Sequence, residues 1–403
     1  MFVIKNAGQL PIKIWLPERA AIDNACLEQA ERLASLPFAF HHIALMPDTH
    51  AGIGMPIGGV VATGNELIVN AVGVDISCGM GFWESNIPAE LLTTEVKQQV
   101  VKQALKEIPV GPMHHTVKQQ VSKSLDWAKS YFLPPLSLMQ ELEQAAYQLG
   151  TLGSGNHFIE VQVNDQNNLC LMVHSGSRHF GFEIAAYFNR VAENLNTRWH
   201  SAVPTSWRLA FLPADSSEGQ HYLEWTRLAR DFACESRKQM LTVMRDILST
   251  AIEKTSGFTP VWSPYVMDVQ HNYVALENHF GENVWVHRKG AVRARKTDHV
   301  IIPGAMGTDS VIGMGLANAD SFTSCSHGAG RKMSRTEARN VFTAEQVFTD
   351  LADKGIVLGT PARSAPADEA SGAYKDLDYV LNNEQDLMVI SQRVKNAGIV
   401  IKG

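Results

Sequence analysis

The sequence predicts an α+β protein in which β-sheets are flanked by helices, folded as one unit over residues 1–403. Long segments with helical apolar spacing are interspersed with short strand-like runs, which sets the class. No Pro/Gly/Ser-rich linker, low-complexity tract or fixed-period repeat divides the chain, which sets the single unit. With 403 residues, 45% hydrophobic and 19% charged, the chain can bury a large core and bears no mark of disorder.

In chain order, the first helical pattern covers Ile22 to Leu36, and Met46-Pro47-Asp48 with His50 follows it. The glycines of Gly73-Val74-Asp75-Ile76-Ser77-Cys78-Gly79 allow a turn tight enough for Asp75 and Cys78 to converge on one ion, and a thiolate can bridge two metals. In isolation the pair reads first as a turn former and a small buried hydrophobe, and the histidine motifs shift it toward a metal. Thr94 to Ile108 is the second helical pattern. Gly153-Ser154-Gly155-Asn156-His157 is a glycine-rich turn leading into Phe158-Ile159-Glu160, where backbone N–H groups can cradle a phosphate.

The apolar run Leu169 to Val173 ends at His174, where Ser175-Gly176-Ser177-Arg178 can offer hydroxyl and guanidinium contacts to an oxyanion. Glu183 to Leu195 and His221 to Lys254 are helical patterns. His271-Asn272 offers another imidazole, although Asp268 and Gln270 nearby can equally make it part of a capping or surface network. Asn283 to Val286, His299 to Ile302 and Ile399 to Ile401 read as strands, and Ile302 leads directly into Pro303-Gly304. Cys325-Ser326-His327-Gly328-Ala329-Gly330-Arg331 reads as a flexible glycine-rich loop before a helical pattern from Ser334 to Leu351. An imidazole there can attack a phosphate while neighbouring cations neutralise the developing charge.

A net charge of −6 at pH 7 means that any nucleic-acid contact relies on local basic patches. Two runs qualify: Arg288, Lys289, Arg293, Arg295 and Lys296, with no acidic residue among them, and Arg331, Lys332, Arg335 and Arg339 near His327. Five cysteines, Cys26, Cys78, Cys170, Cys234 and Cys325, without CxxC spacing, argue against a disulfide framework or a zinc ribbon and for a reducing compartment. Met1 to Pro17 lacks the charged start and apolar core of a signal peptide, and no run of about 18 apolar residues occurs, so the expected location is the cytoplasm with no membrane contact.

Taken in order, the motifs resemble the RNA-splicing ligase RtcB family over essentially the whole chain. They are Met46-Pro47-Asp48-x-His50, Gly73-Val74-Asp75-Ile76-x-Cys78-Gly79, Leu152-Gly153-x-Gly155-Asn156-His157-Phe158-x-Glu160, His174-Ser175-Gly176-Ser177-Arg178 and His271-Asn272. Further on come Arg288-Lys289-Gly290-Ala291, Ile302-Pro303-Gly304-x-Met306-Gly307, Ser324 through Arg331, Ala373-Tyr374-Lys375-Asp376 and Lys402-Gly403.

The resemblance implies a compact mixed α/β domain around a deep dinuclear metal cleft. It implies a GTP- and manganese-dependent ligase that joins RNA ends carrying a 2′,3′-cyclic phosphate or 3′-phosphate to 5′-hydroxyl ends, in RNA repair or tRNA splicing. Carried over by motif, Asp75, Cys78 and His157 hold one manganese and Cys78, His174 and His271 a second. His327 forms a covalent histidine–GMP intermediate. Asn156, His157, Phe158, Ile159, Glu160, His271, Asn272, Pro303, Gly304, Ala305, Met306, Ser310, His327, Gly328, Ala329, Gly330, Tyr374 and Lys402 surround the guanylate, with Glu160 suited to the guanine N–H donors. An archease-type activator is a further expected partner. Ser77, Ala305, His179-Phe180 and Ser236 depart from the usual family pattern. The competing classes are a dinuclear metal-dependent phosphoesterase or nuclease and a catalytically silent RNA-binding relative. The first would need neither the His327 loop nor Glu160 and Lys402.

Overall fold

A computed structural model describes residues 1–120, 135–361 and 367–403. Two large sheets organise it. The first runs in the order Phe2–Ile4, Ile12–Ile14, Ala39–His50, Ile57–Thr63, Glu282–Lys289 and Asn272–His279. The second runs Met267–Gln270, Gly79–Pro88, Asn168–Ser175, Phe158–Val163, Met388–Lys402, Ser310–Gly315 and His299–Ile302, with Val357–Gly359 parallel to Met388–Lys402.

Side-chain alternation along each strand explains the layers. Val60 and Ala62 of the first sheet join Met80, Phe82 and Met172 of the second in one shared core. Val61, on the opposite face, packs with Ile43 and Leu45 against Leu27, Ala30 and Leu33 of the helix Asn24–Ala34. Leu171 and Val173 turn the other way from Met172 and meet helix Thr94–Glu107 and the second half of helix Ser217–Ser256. The order is therefore helix, sheet, sheet, helix, an α+β architecture.

Helix Ser217–Ser256 has 40 residues, about 60 Å at 1.5 Å per residue. The Ser216 hydroxyl caps its start by accepting from the Gly219 N–H, and Gly257 ends it at φ +70°. Tyr222, Trp225 and Phe232 pack on Phe180, Ile184 and Phe188 of helix Arg178–Arg198, and Met240, Leu241 and Met244 pack under the second sheet. One helix thus belongs to two cores. Among the described residues no helix is long and apolar enough to cross a membrane. All five cysteines are free.

The segment expected as one helix from Ser334 to Leu351 is two, Arg335–Val341 and Ala344–Asp353. Thr343 interrupts it because its hydroxyl accepts from the Gln346 N–H and the Gln346 side chain returns to the Thr343 N–H, a capping box that starts a new helix. Ser334 and Glu337 form the same box one helix earlier. Asp48 and His50 end the long strand Ala39–His50, which lacks a clear alternating signal because most of it is buried on both faces.

Candidate metal and nucleotide site

The start of strand Gly79–Pro88, the end of Asn168–Ser175 and the start of Phe158–Val163 lie at one edge of the second sheet, because these three neighbours are antiparallel. Cys78 precedes the first, His174 sits near the end of the second, and His157 precedes the third. Their ligand atoms converge. The Cys78 Sγ lies 3.3 Å from His157 Nε2 and 3.2 Å from His174 Nε2, and His157 Nε2 is 3.0 Å from Asp75 Oδ2. Cys78, His157 and His174 form a buried group spaced to hold a metal ion. His271, at the crossover between the two sheets, places its ring 5.2 Å from that of His174 and 4.8 Å from that of His327.

Backbone constraints fix this cluster. Asp75 Oδ1 accepts from the Ser177 N–H at 3.0 Å. A Cβ on Gly176 would lie 2.1 Å from that carboxylate, so only glycine permits the approach. Ser77 takes φ +56°, a left-handed conformation that favours glycine, and is held by its N–H donating to Asn272 O at 2.7 Å. Asn272 also donates through Nδ2 to Asp75 O and accepts from the Gly290 N–H. Arg237, fully buried on the long helix, donates to the carbonyls of Ser77 and Ser175 at 2.9 and 2.8 Å while pairing with both oxygens of Asp268 at 2.7 Å.

The electrostatics suit a cation. Burial would raise the Asp75 carboxyl, yet the contacts with His157, Cys78 and His174 hold it down to about 2. Burial and the neighbouring imidazoles push His174 and His271 well below the ordinary histidine range, which keeps both neutral. Burial and the Asp75 charge push the Cys78 thiol up, so its proton leaves only in exchange for a metal. Nδ1 of His157 and of His271 are buried without a hydrogen-bond partner among the described residues. A carboxylate, a thiol and neutral imidazoles fit a divalent transition metal.

His327 follows strand Ser324–Ser326. Its Nδ1 lies 2.5 Å from Asp48 Oδ2, and its backbone N–H donates to the same oxygen at 3.1 Å. Asp48 is fully buried. Burial would raise its carboxyl, and the contacts with His327 together with the Lys375 charge hold it below the usual range. An anionic partner at Nδ1 keeps the proton there, which leaves Nε2 with a lone pair. The loop expected to be flexible is seated: Gly328, Ala329 and Gly330 are buried, Ala329 N–H donates to Pro303 O, and Lys375 N–H donates to Gly330 O.

A cavity of about 840 Å³ opens beside His327 and reaches His174. Asn156, Phe158 and Glu160 line it, as do Pro303, Gly304, Ala305 and Met306. Gly328, Ala329, Gly330, Tyr374 and Lys402 complete the expected lining. His157, Ile159, His271, Asn272 and Ser310 stand outside it. Ile159 faces the helical side of its strand, packed with Val161 and Ile401. Ser310 Oγ accepts from the Gly304 N–H at 3.3 Å and so supports the loop. Burial raises the Glu160 carboxyl to about 7, opposed by the Gln162 hydrogen bond and the Lys402 charge.

Glu369 is the group that sequence reasoning missed. Its buried carboxylate accepts from the Tyr374 hydroxyl and faces Arg331 at 3.2 Å, Lys402 at 3.5 Å and Arg335 at 3.7 Å. The nearest signal was the Ala373-Tyr374-Lys375-Asp376 motif that follows it. Asp48 was noted only as part of the His50 motif.

The first basic run is corrected by the fold. Arg288 is fully buried, pairs with Glu277 at 2.6 and 3.0 Å and donates to Ser324 and Phe322. Lys289 donates to the carbonyls of Ile53, Met55 and Asn70, and Arg293 pairs with Asp298. The acidic partners, Glu277 and Asp298, lie just outside the run, which leaves Arg295 and Lys296 exposed. Arg178 likewise serves the scaffold, donating to Thr151 Oγ1 and Gly111 O. In the second run, Arg331, Lys332 and Arg335 line the cavity.

The family model described as tRNA-splicing ligase RtcB matches residues 29–403. The chain is 34% identical over 406 residues to the RNA-splicing ligase RtcB of Escherichia coli K12, covering 98% of this chain and 97% of the relative. It is 30% identical over 438 residues to the tRNA-splicing ligase RtcB of Thermococcus kodakarensis, covering 93% and 90%. To the RNA-splicing ligase RtcB of Mycobacterium tuberculosis it is 32% identical over 416 residues, covering 88% and 94%.

Proposed function

This chain belongs to the RtcB family of RNA ligases, and from that premise we propose that it joins a 2′,3′-cyclic phosphate or 3′-phosphate RNA end to a 5′-hydroxyl end through a GMP carried on His327. The observation that carries the reading is the His327–Asp48 pair beside a cavity that also holds Glu160. With the Nδ1 proton held by Asp48, the Nε2 lone pair attacks the α-phosphorus of GTP. A P–N bond forms, the bond to the bridging oxygen breaks, and pyrophosphate leaves. The cyclic phosphate is opened by water to a 3′-phosphate. An oxygen of that phosphate then displaces Nε2 to give an RNA end capped by GMP, and the 5′-hydroxyl displaces GMP to form the phosphodiester.

Guanine N1–H and its amino group are two donors side by side, and ionised Glu160 can accept both, which favours GTP over ATP. Lys402, Arg331 and Arg335 lie where phosphate charge would collect, next to Glu369. Asp75, Cys78 and His157 would hold one manganese, and Cys78, His174 and His271 a second. Such ions supply charge neutralisation and Lewis acidity. The site draws on residues from Asp48 to Lys402, which supports a single working domain over 1–403. Five free cysteines support a reducing, cytoplasmic setting. An archease-type activator belongs to this same reading as a further partner.

Incubation with α-labelled GTP and manganese should label the protein, and His327→Ala should abolish the label. An unlabelled wild type would sink the reading.

A further inference from the structure

We infer that His50 is a second imidazole of this site, presenting Nε2 as an acceptor to a ribose hydroxyl of an RNA end. The inference rests on the RNA-ligase reading of the cavity. His50 lines the same cavity as His327. Its Nδ1 lies 3.1 Å from the Asp48 carbonyl oxygen, which can only accept. Nδ1 therefore carries the proton and Nε2 the lone pair. Asp48 thus holds two rings in the same tautomer, His327 through its carboxylate and His50 through its main chain. One lone pair is placed for a phosphorus and the other is unassigned.

The two sheets divide the cavity. Phe158, Glu160 and Lys402 belong to the second sheet, whereas Thr49, His50 and Ile57 belong to the first. At about 840 Å³ the space lies in the upper part of the range of roughly 300–1,000 Å³ typical of small-molecule sites, so a guanylate leaves room for a second group. Guanine's donors are matched by Glu160. The remaining hydroxyl donors near His327 are those of the guanosine ribose, whose loss would show in the labelling step, and those of the RNA ends, whose loss would show only in the RNA steps. Burial pushes the His50 imidazolium down to about 4, against the Asp48 hydrogen bond and charge, which raise it. So weak a base orients a hydroxyl by accepting its hydrogen bond and does not remove its proton.

The hydroxyl can be the 2′-OH beside the 3′-phosphate or the incoming 5′-OH, and the steps separate them. Wild type, His50→Ala and His50→Gln are compared for labelling with α-labelled GTP, for GMP transfer to a 3′-phosphate RNA, and for joining of a pre-guanylylated end to a 5′-OH RNA. Labelling, which involves no RNA, reports folding and nucleotide binding and should persist in both variants. His50→Ala should slow one RNA step about three- to tenfold, the loss of one hydrogen bond. His50→Gln, which keeps an acceptor, should recover part of it. If transfer is the slowed step, a 2′-deoxy 3′-terminus should slow wild type equally and the alanine variant no further, which assigns the 2′-OH. If joining alone is slowed, the 5′-OH is assigned. Both RNA steps at wild-type rate, or loss of labelling in the variants, would overturn the inference, whereas an unlabelled wild type would overturn the proposed function instead.

Discussion

At the residue scale, the properties of the site come from single buried contacts. Asp48 fixes the His327 tautomer, so Asp48→Asn, whose amide can donate to Nδ1 and move the proton to Nε2, should lower guanylylation by about 10²- to 10⁴-fold with the fold retained. Labelling rates with α-labelled GTP check this. In the proposed reading Glu160 accepts from guanine as the carboxylate, and burial places its ionisation at about 7. Below that pH the group is protonated, so GTP affinity should weaken as pH falls from 8 to 6, approaching about tenfold per unit. Nucleotide titrations at each pH check the slope, and Glu160→Gln should bind more weakly but without it. The same raised value makes Glu160 destabilising to the fold as pH rises from about 4.5 through 7, the opposite of a salt-bridged carboxylate. Asp75, Cys78 and His327 were legible in the sequence because each sits in a motif. The Asp48 carboxylate was not, because its partner lies 279 positions away.

At the element scale, the metal-ligand turn is held from below by a helix. Arg237 ties the carbonyls beside Cys78 and His174 to Asp268, so Arg237→Leu should leave two carbonyls and a carboxylate without their donors. The loss should be about 3 kcal/mol in urea unfolding, at the lower end for a broken buried pair because Asp268 is 30% exposed. Manganese titration of the folded variant should also show weaker binding, which a purely remote stability defect would not produce. Helical periodicity located helix Ser217–Ser256 to within a few residues. It ran two helices together at Thr343 because the capping box that separates them interrupts the chain for only two residues, Phe342 and Thr343.

At the scale of the whole molecule, the metal cluster, His327 and the cavity meet where two sheets share a core, and strands distant in sequence supply the walls. The same packing sorts the cations. Arg288→Gln breaks a fully buried pair with Glu277 and should lower unfolding free energy by about 3–5 kcal/mol without changing the salt dependence of RNA binding. Arg335→Gln, at a side chain 49% exposed on the cavity rim, should do the reverse, leaving stability within about 0.5 kcal/mol and reducing the salt slope by about one. Denaturation curves and RNA titrations over a salt series separate the two. The sequence by itself determined the α+β class, the family and the motifs whose Cys78, His157 and His174 the fold gathers into one buried group, because glycine turns and strand ends carry those residues in local patterns. Only the tertiary structure decided which face of a strand meets the cavity, so that Glu160 lines it and Ile159 does not. It alone decided which arginines are spent inside the fold and that one aspartate holds both His50 and His327. Burial and charge pairing depend on groups far apart in the chain, and no local pattern encodes them.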